Sequence, residues 1–181
     1  MKKLTMFFMI SAVIIMTGCT SNKSETSEPE SELAQLAASE KTLPSNFESF
    51  GNQSEPKGIY SEVVQSQDEY EDSWKEFQLE GTIPEVDFKK NHVLFIGMME
   101  SSSCPLIIDS LKGNTEEPEL TITFEQLNDV CTADLSPRNF VLVIDKSLSS
   151  ELTSFKIVTE QNDFNVPILV KSIEHDESES K

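Results

Sequence analysis

The chain has 181 residues, 14 Lys plus Arg against 32 Asp plus Glu, and a formal charge of −18. Charge of that sign argues against nucleic-acid binding, which rests on Lys and Arg neutralising phosphates, and against adhesion to an anionic bilayer surface by charge. The length suits one domain with a real core, and the acidity suits solubility while leaving room for a basic protein partner or loosely held divalent cations.

Residues 1–19, MKKLTMFFMISAVIIMTGC, open with Lys2 and Lys3 and continue in an apolar run from Leu4 to Met16. That run is shorter than the roughly 20 residues needed to span a bilayer, so it predicts a cleaved export signal. Met16-Thr17-Gly18-Cys19 resembles the lipobox of bacterial lipoproteins, with Met16 where Leu is usual. The resemblance implies that Cys19 takes a diacylglycerol, that the bond before it is cut, and that the chain is held by lipid at the extracytoplasmic face of the cell membrane. An ordinary secretory signal with a chance cysteine, or a buried apolar helix, is the alternative. Cleavage before Cys19 leaves 163 residues, with 12 basic against 32 acidic side chains.

The expected organisation is a signal over 1–18, the lipidated Cys19 with a tether through 45, one domain over 46–175, and a frayed acidic tail over 176–181. Thr20 to Ser45 is rich in Ser, Glu and Thr and poor in large apolar residues, which predicts a disordered tether with a helix-prone patch at Ser31–Ser39. Gly58 to Val64 reads as the first strand. Ser66 with Glu69 three residues on has capping-box spacing, and Tyr70, Trp74 and Phe77 fall on one face of the helix beginning there. Such a stripe predicts core packing rather than a ligand platform. Gly81 and Pro84 close the unit.

His92 to Met99 is an unbroken apolar run that predicts a strand buried on both faces at the centre of the sheet. Leu106–Ser110 and Leu120–Phe124 read as a hairpin about Lys112-Gly113-Asn114. Phe140 to Ile144 is a second buried strand. Phe155–Thr159 and Val166–Ile173 complete the set, with Asn162-Asp163 in the turn between them. The fold class is therefore α+β, a mainly antiparallel sheet with one aromatic-faced helix, in a single small domain.

With Cys19 lipidated, Cys104 and Cys131 remain as a pair. In an oxidising compartment such a pair predicts a structural disulfide, with two buried free thiols as the alternative. The two histidines, His92 and His175, lie far apart and give no metal-ligand spacing, and no nucleophile motif accompanies them. No catalytic residue, metal ligand or cofactor site is expected. Glu116-Glu117-Pro118-Glu119 is an acidic turn best read as solvated. Arg138 is the only Arg in the chain, and Asp134 lies four residues before it in DVCTADLSPRN. An internal Asp134–Arg138 pair shaping the loop is the favoured reading, since Arg bonds carboxylates in a planar, bidentate way; exposure to solvent and a binding contact stay open.

Between Ile59 and Lys146 the order is strand, aromatic helix, then Val86-Asp87-Phe88-Lys89-Lys90 leading into Val93-Leu94-Phe95-Ile96-Gly97. This resembles the PrcB accessory-domain family over about half the chain. Members place a glycine-rich turn and an aromatic after the Gly, where this chain has Ser101-Ser102-Ser103-Cys104-Pro105. The resemblance implies a small, mostly β, non-catalytic lipoprotein module that steadies or docks another exported protein. Independently of it, Phe88 is placed to plug the end of the core and Asp87 to accept backbone N–H groups. A membrane-tethered receptor for a small ligand or cation is the alternative function.

Overall fold

A computed structural model describes residues 33–51, 56–126, 128 and 130–170. The stretch expected to be an export signal, Cys19 and the acidic tail lie outside the described residues. The elements are β1 (Ala34–Ala38), α1 (Phe47–Gly51), β2 (Ile59–Val64), α2 (Gln67–Glu76), β3 (Asn91–Glu100), β4 (Leu106–Asn114), β5 (Glu119–Gln126), β6 (Ser136–Asp145), α3 (Lys146–Ser149), β7 (Ser154–Val158), β8 (Asp163–Pro167) and β9 (Leu169–Val170). They form a five-stranded sheet in the order β1-β6-β3-β2-β9 and a four-stranded sheet in the order β4-β5-β7-β8.

Strand β3 is the middle strand of the larger sheet, as its apolar run predicts. Its ten residues pair antiparallel with β6, and six of them also pair with β2. Alternate residues of such strands point to opposite faces. Leu94, Ile96 and Met98, with Phe140, Leu142 and Ile144 of β6, enter one core shared with Leu120, Ile122, Phe155 and Ile157 of the smaller sheet. Val93, Phe95, Val141 and Val143 face the other way, into a second core with Tyr70, Trp74 and Phe77. The aromatic stripe is thus core: α2 covers one face of the large sheet and the small sheet covers the other.

Local signals fix α2 as read. Ser66 and Glu69 form the reciprocal capping box, with the Ser66 side chain accepting from the Glu69 N–H and the Glu69 carboxylate accepting from Ser66 N–H at 3.2 Å. Asp87 Oδ1 accepts from Lys89 N–H at 3.0 Å, and the Phe88 ring lies 5.7 Å from that of Tyr70, so both residues act as expected before β3.

Three expectations need correction. The stretch assigned to a tether and a helix-prone patch is ordered from Leu33: β1 pairs with β6 in the register Ala34↔Ile144 to Leu36↔Leu142. Tertiary pairing overrides the local preference of AQLAA, which in isolation is too short to hold a helix. Buried Asn139 clamps the segment after β1, accepting from Glu40 N–H at 3.0 Å and donating to Thr42 Oγ1 at 2.6 Å. Second, Lys112-Gly113-Asn114 belongs to β4, and the turn is Thr115 to Pro118, held by Asn114 Oδ1 accepting from Glu116 N–H at 2.9 Å. Gly113 is in the strand because Leu33 and Leu148 press on it; a Cβ there would lie 2.7 Å from Leu148 Cδ2 and 2.9 Å from Leu33 Cβ. Third, the last strand starts earlier than Val166. Strand β8 pairs antiparallel with β7 from Asp163 to Pro167, whereas Leu169 and Val170 cross to the larger sheet and run parallel to β2. The remainder of the expected strand, to Ile173, lies outside the described residues.

Candidate functional site

The ends of β3 and β6 bring Cys104, Cys131, Asp134 and Arg138 to one rim of the domain. Cys104 and Cys131 form a disulfide with a Cα–Cα distance of 5.5 Å and a sequence separation of 27. Cys104 is buried and Cys131 exposed, so the bond ties a surface loop to the core. Closing a loop of that length stabilises a fold by about 3–4 kcal/mol in the chain-entropy treatment.

Hydroxyls reinforce the staple. Ser103 Oγ accepts from Thr132 N–H at 2.8 Å, and Ser101 Oγ donates to the Thr132 carbonyl at 2.9 Å. The Asp134 carboxylate accepts from the side chains of Ser102 and Thr132. Those two hydroxyls hold its pKa below the usual carboxylate value. The serine run Ser101 to Ser103 is therefore the inner half of a cross-linked loop pair.

Arg138 does not pair with Asp134. Its Nη2 and Nε lie 2.9 Å and 3.0 Å from Glu100 Oε1, and the two side chains are 14% and 1% exposed. Register explains the choice: Glu100 lies opposite Ser136, so Arg138 is its diagonal neighbour on the inward face, whereas Asp134 precedes the strand in the loop. The other oxygen, Glu100 Oε2, accepts from Leu106 N–H at 2.8 Å and thereby holds the first residue of β4. Glu100 is the residue that reading the sequence missed. Its signal was the two-residue period, because it comes after Leu94, Ile96 and Met98 in the inward phase.

Two concavities open beside this ion pair. One, of 220 Å³, lies at the sheet ends and is lined by Met99, Glu100, Leu106, Gln126, Leu135 and Thr159, among others. The second, of 350 Å³, runs between β1 and β4 over Leu36, Leu106, Ile107, Ile108, Arg138 and Phe140. Leu106 borders both. Exposed apolar side chains lie along the same path: Leu36 at 47%, Ile107 at 43%, Met99 at 38% and Leu135 at 73%, with Val130 at 86% in the stapled loop.

Away from the rim, buried polar groups form two further clusters. Glu62 accepts from Tyr60 Oη at 2.6 Å and from the Ser73 hydroxyl beneath α2. Burial and the adjacent carboxylate raise the Tyr60 pKa well above its ordinary value. His92 Nδ1 lies 3.0 Å from Ser149 Oγ, which also donates to the Asp145 carbonyl at 3.0 Å. Both side chains are buried, so this pair fastens α3 to the start of β3. Burial foremost, and then the Lys146 ammonium, lower the His92 pKa, with Glu69 opposing.

Among the described residues no group of three or more His, Cys, Asp or Glu is placed to hold a metal ion, and no helix is long and apolar enough to cross a membrane. Comparisons with protein families, with characterised proteins and with solved structures found no match to this chain.

Proposed function

We propose that this is a lipid-anchored extracytoplasmic protein whose domain works by docking another exported protein on its disulfide-stapled rim, as an accessory subunit rather than as a catalyst. The anchoring half of the reading rests on the Lys2-Lys3 start, the short apolar run and the lipobox-like Met16 to Cys19. The docking half rests on one observation: Leu36, Met99, Ile107 and Leu135, four large apolar side chains, are exposed in the lining of two concavities that share Leu106, and Val130 is exposed in the stapled loop. Exposed apolar side chains lining grooves beside a stapled loop are what protein-contact sites present. The resemblance of residues 59–146 to the PrcB accessory-domain family points the same way. A small-ligand receptor is the weaker reading. Of the two carboxylates lining the 220 Å³ concavity, the buried one, Glu100, already takes donors from Arg138 and Leu106, and the other, Glu160, is exposed.

The test is crosslinking in intact cells with a tagged chain, alongside Cys19→Ser and Leu135→Asp. A stoichiometric exported partner, recovered with the natural chain and lost with either variant, is the expected result. Equal recovery from all three, or no specific partner, overturns the reading.

A further inference from the structure

Strand β4 is the outer strand of the smaller sheet, and among the described residues no strand pairs with its free side. Its second half is covered, since Gly113 packs under Leu33. Its first half borders the 350 Å³ groove, across which lies β1, the outer strand of the larger sheet. Leu106 N–H donates to Glu100, which turns it away from β5 and occupies it; by the antiparallel alternation the Leu106 C=O and both the N–H and the C=O of Ile108 are left facing the groove. A register shift between Ile108 and Ser110 ends this stretch, as bulges commonly limit open edges. The result is a short open edge above an apolar floor of Leu36, Leu106 and Phe140.

Charge decides what fits it. Arg138 is the charged side chain among the groove's lining residues, and it is neutralised there by Glu100. On the outer face the exposed residues of this stretch of β4 are Ile107 and Asp109, with Glu125 one strand further in, opposite Ile107 on β5. One carboxylate, Asp109, thus stands beside an apolar side chain at the edge itself, with a second one strand behind it, on a protein of charge −18. Directly facing cross-strand residues attract when oppositely charged and repel when alike.

We propose that the edge of β4 from Leu106 to Asp109 accepts one short extended segment of the partner, with apolar side chains turned into the groove and Lys or Arg on the outer face. Main-chain bonds to the edge supply the attachment, and alternate side-chain positions supply the choice of sequence. This rests on the docking reading above and sharpens it to one strand and one pattern.

The probe is the capped peptide Lys-Val-Lys-Val-Lys-Val-Lys, titrated into the 15N-labelled full chain, with Glu-Val-Glu-Val-Glu-Val-Glu as its counterpart. The Lys peptide should bind with a dissociation constant on the order of 0.1–1 mM, shifting the amides of Leu106 to Asp109, and the Glu peptide about tenfold more weakly. Asp109→Lys should narrow or reverse that preference, and Ile107→Arg, an exposed substitution, should weaken the Lys peptide about tenfold with the fold intact. Equal binding of the two peptides, shifts confined to other strands, or no binding at several millimolar overturns the proposal. So does a dimer of the natural chain, seen by sedimentation and dissociated by Ile107→Arg, which would assign the edge to a second copy. If the cellular partner is still lost with Leu135→Asp while the peptides fail, docking stands and the strand-addition mode falls.

Discussion

Replacing Arg138 with Met leaves the Glu100 carboxylate, 1% exposed, buried without its cation. Removing one partner of a buried ion pair costs about 3–5 kcal/mol, because the remaining charge keeps its desolvation penalty and loses its compensation. For a domain of this size that corresponds to a fall in Tm of about 10–20 °C. Glu100→Gln is milder, about 1–2 kcal/mol, since the amide oxygen can still accept from Leu106 N–H and Arg138 retains a path to solvent. The two together remove both charges while keeping that acceptor. The double variant should therefore lie within about 2 kcal/mol of the natural protein, well short of the summed single effects. Urea unfolding monitored by the fluorescence of Trp74, the only Trp and a buried one, measures all four corners of the cycle. An Arg138→Met cost below about 1 kcal/mol, or a double variant that equals the sum, would refute the reasoning that this pair is a coupled, desolvated unit.

Replacing Cys104 and Cys131 together by Ala should destabilise the domain by about 3–4 kcal/mol, read as a lower urea midpoint, and should speed amide exchange at Thr132 and Asp134. His92 gives a pH signature: its folded pKa is lowered, so the unfolded chain takes up the proton first, and stability should be level above about pH 6.5 and decline as the pH falls below it. His92→Asn should flatten the urea midpoint between pH 7 and pH 5, whereas Asp134, Asp145 and Asp163, whose pKa values are lowered, should lose their contribution only below about pH 4. Gly113→Ala should cost about 1–3 kcal/mol, measured as a drop in Tm, because the added methyl meets Leu33 Cβ at 2.9 Å and Leu148 Cδ2 at 2.7 Å.

Where local pattern and tertiary context agree, the architecture is legible in the chain. The apolar runs of β3 and β6 needed both faces covered, and the Ser66 capping box and aromatic spacing defined α2 by neighbours within one or two turns. The disulfide was implied by the number of cysteines left after Cys19. The features that escaped depended on distant partners. AQLAA becomes a strand because β6 offers it a ladder, and Gly113 stays in β4 because Leu33 and Leu148 leave no room for a side chain. Spacing along the chain pairs Arg138 with Asp134, but in a sheet the diagonal neighbour on the next strand, Glu100, outranks a residue four positions away in a loop. Glu100 was readable from the inward phase of β3, but only once that phase was carried past the end of the apolar run.

The larger sheet is bordered by the two ends of the described chain, β1 pairing with β6 and β9 with β2, and Ser39 and Ser61 reach hydrogen-bond partners 100 and 106 positions away. Few of these contacts can be made early by a growing or emerging chain, because loops this long must close before the pairs form. Until Leu169 and Val170 arrive, β2 has one open side, and until β6 is in place β1 has no ladder at all. Folding of this domain is thus a late, collective event whose rate is set by topology, and a chain interrupted before residue 170 would expose the β2 edge that β9 covers in the finished sheet.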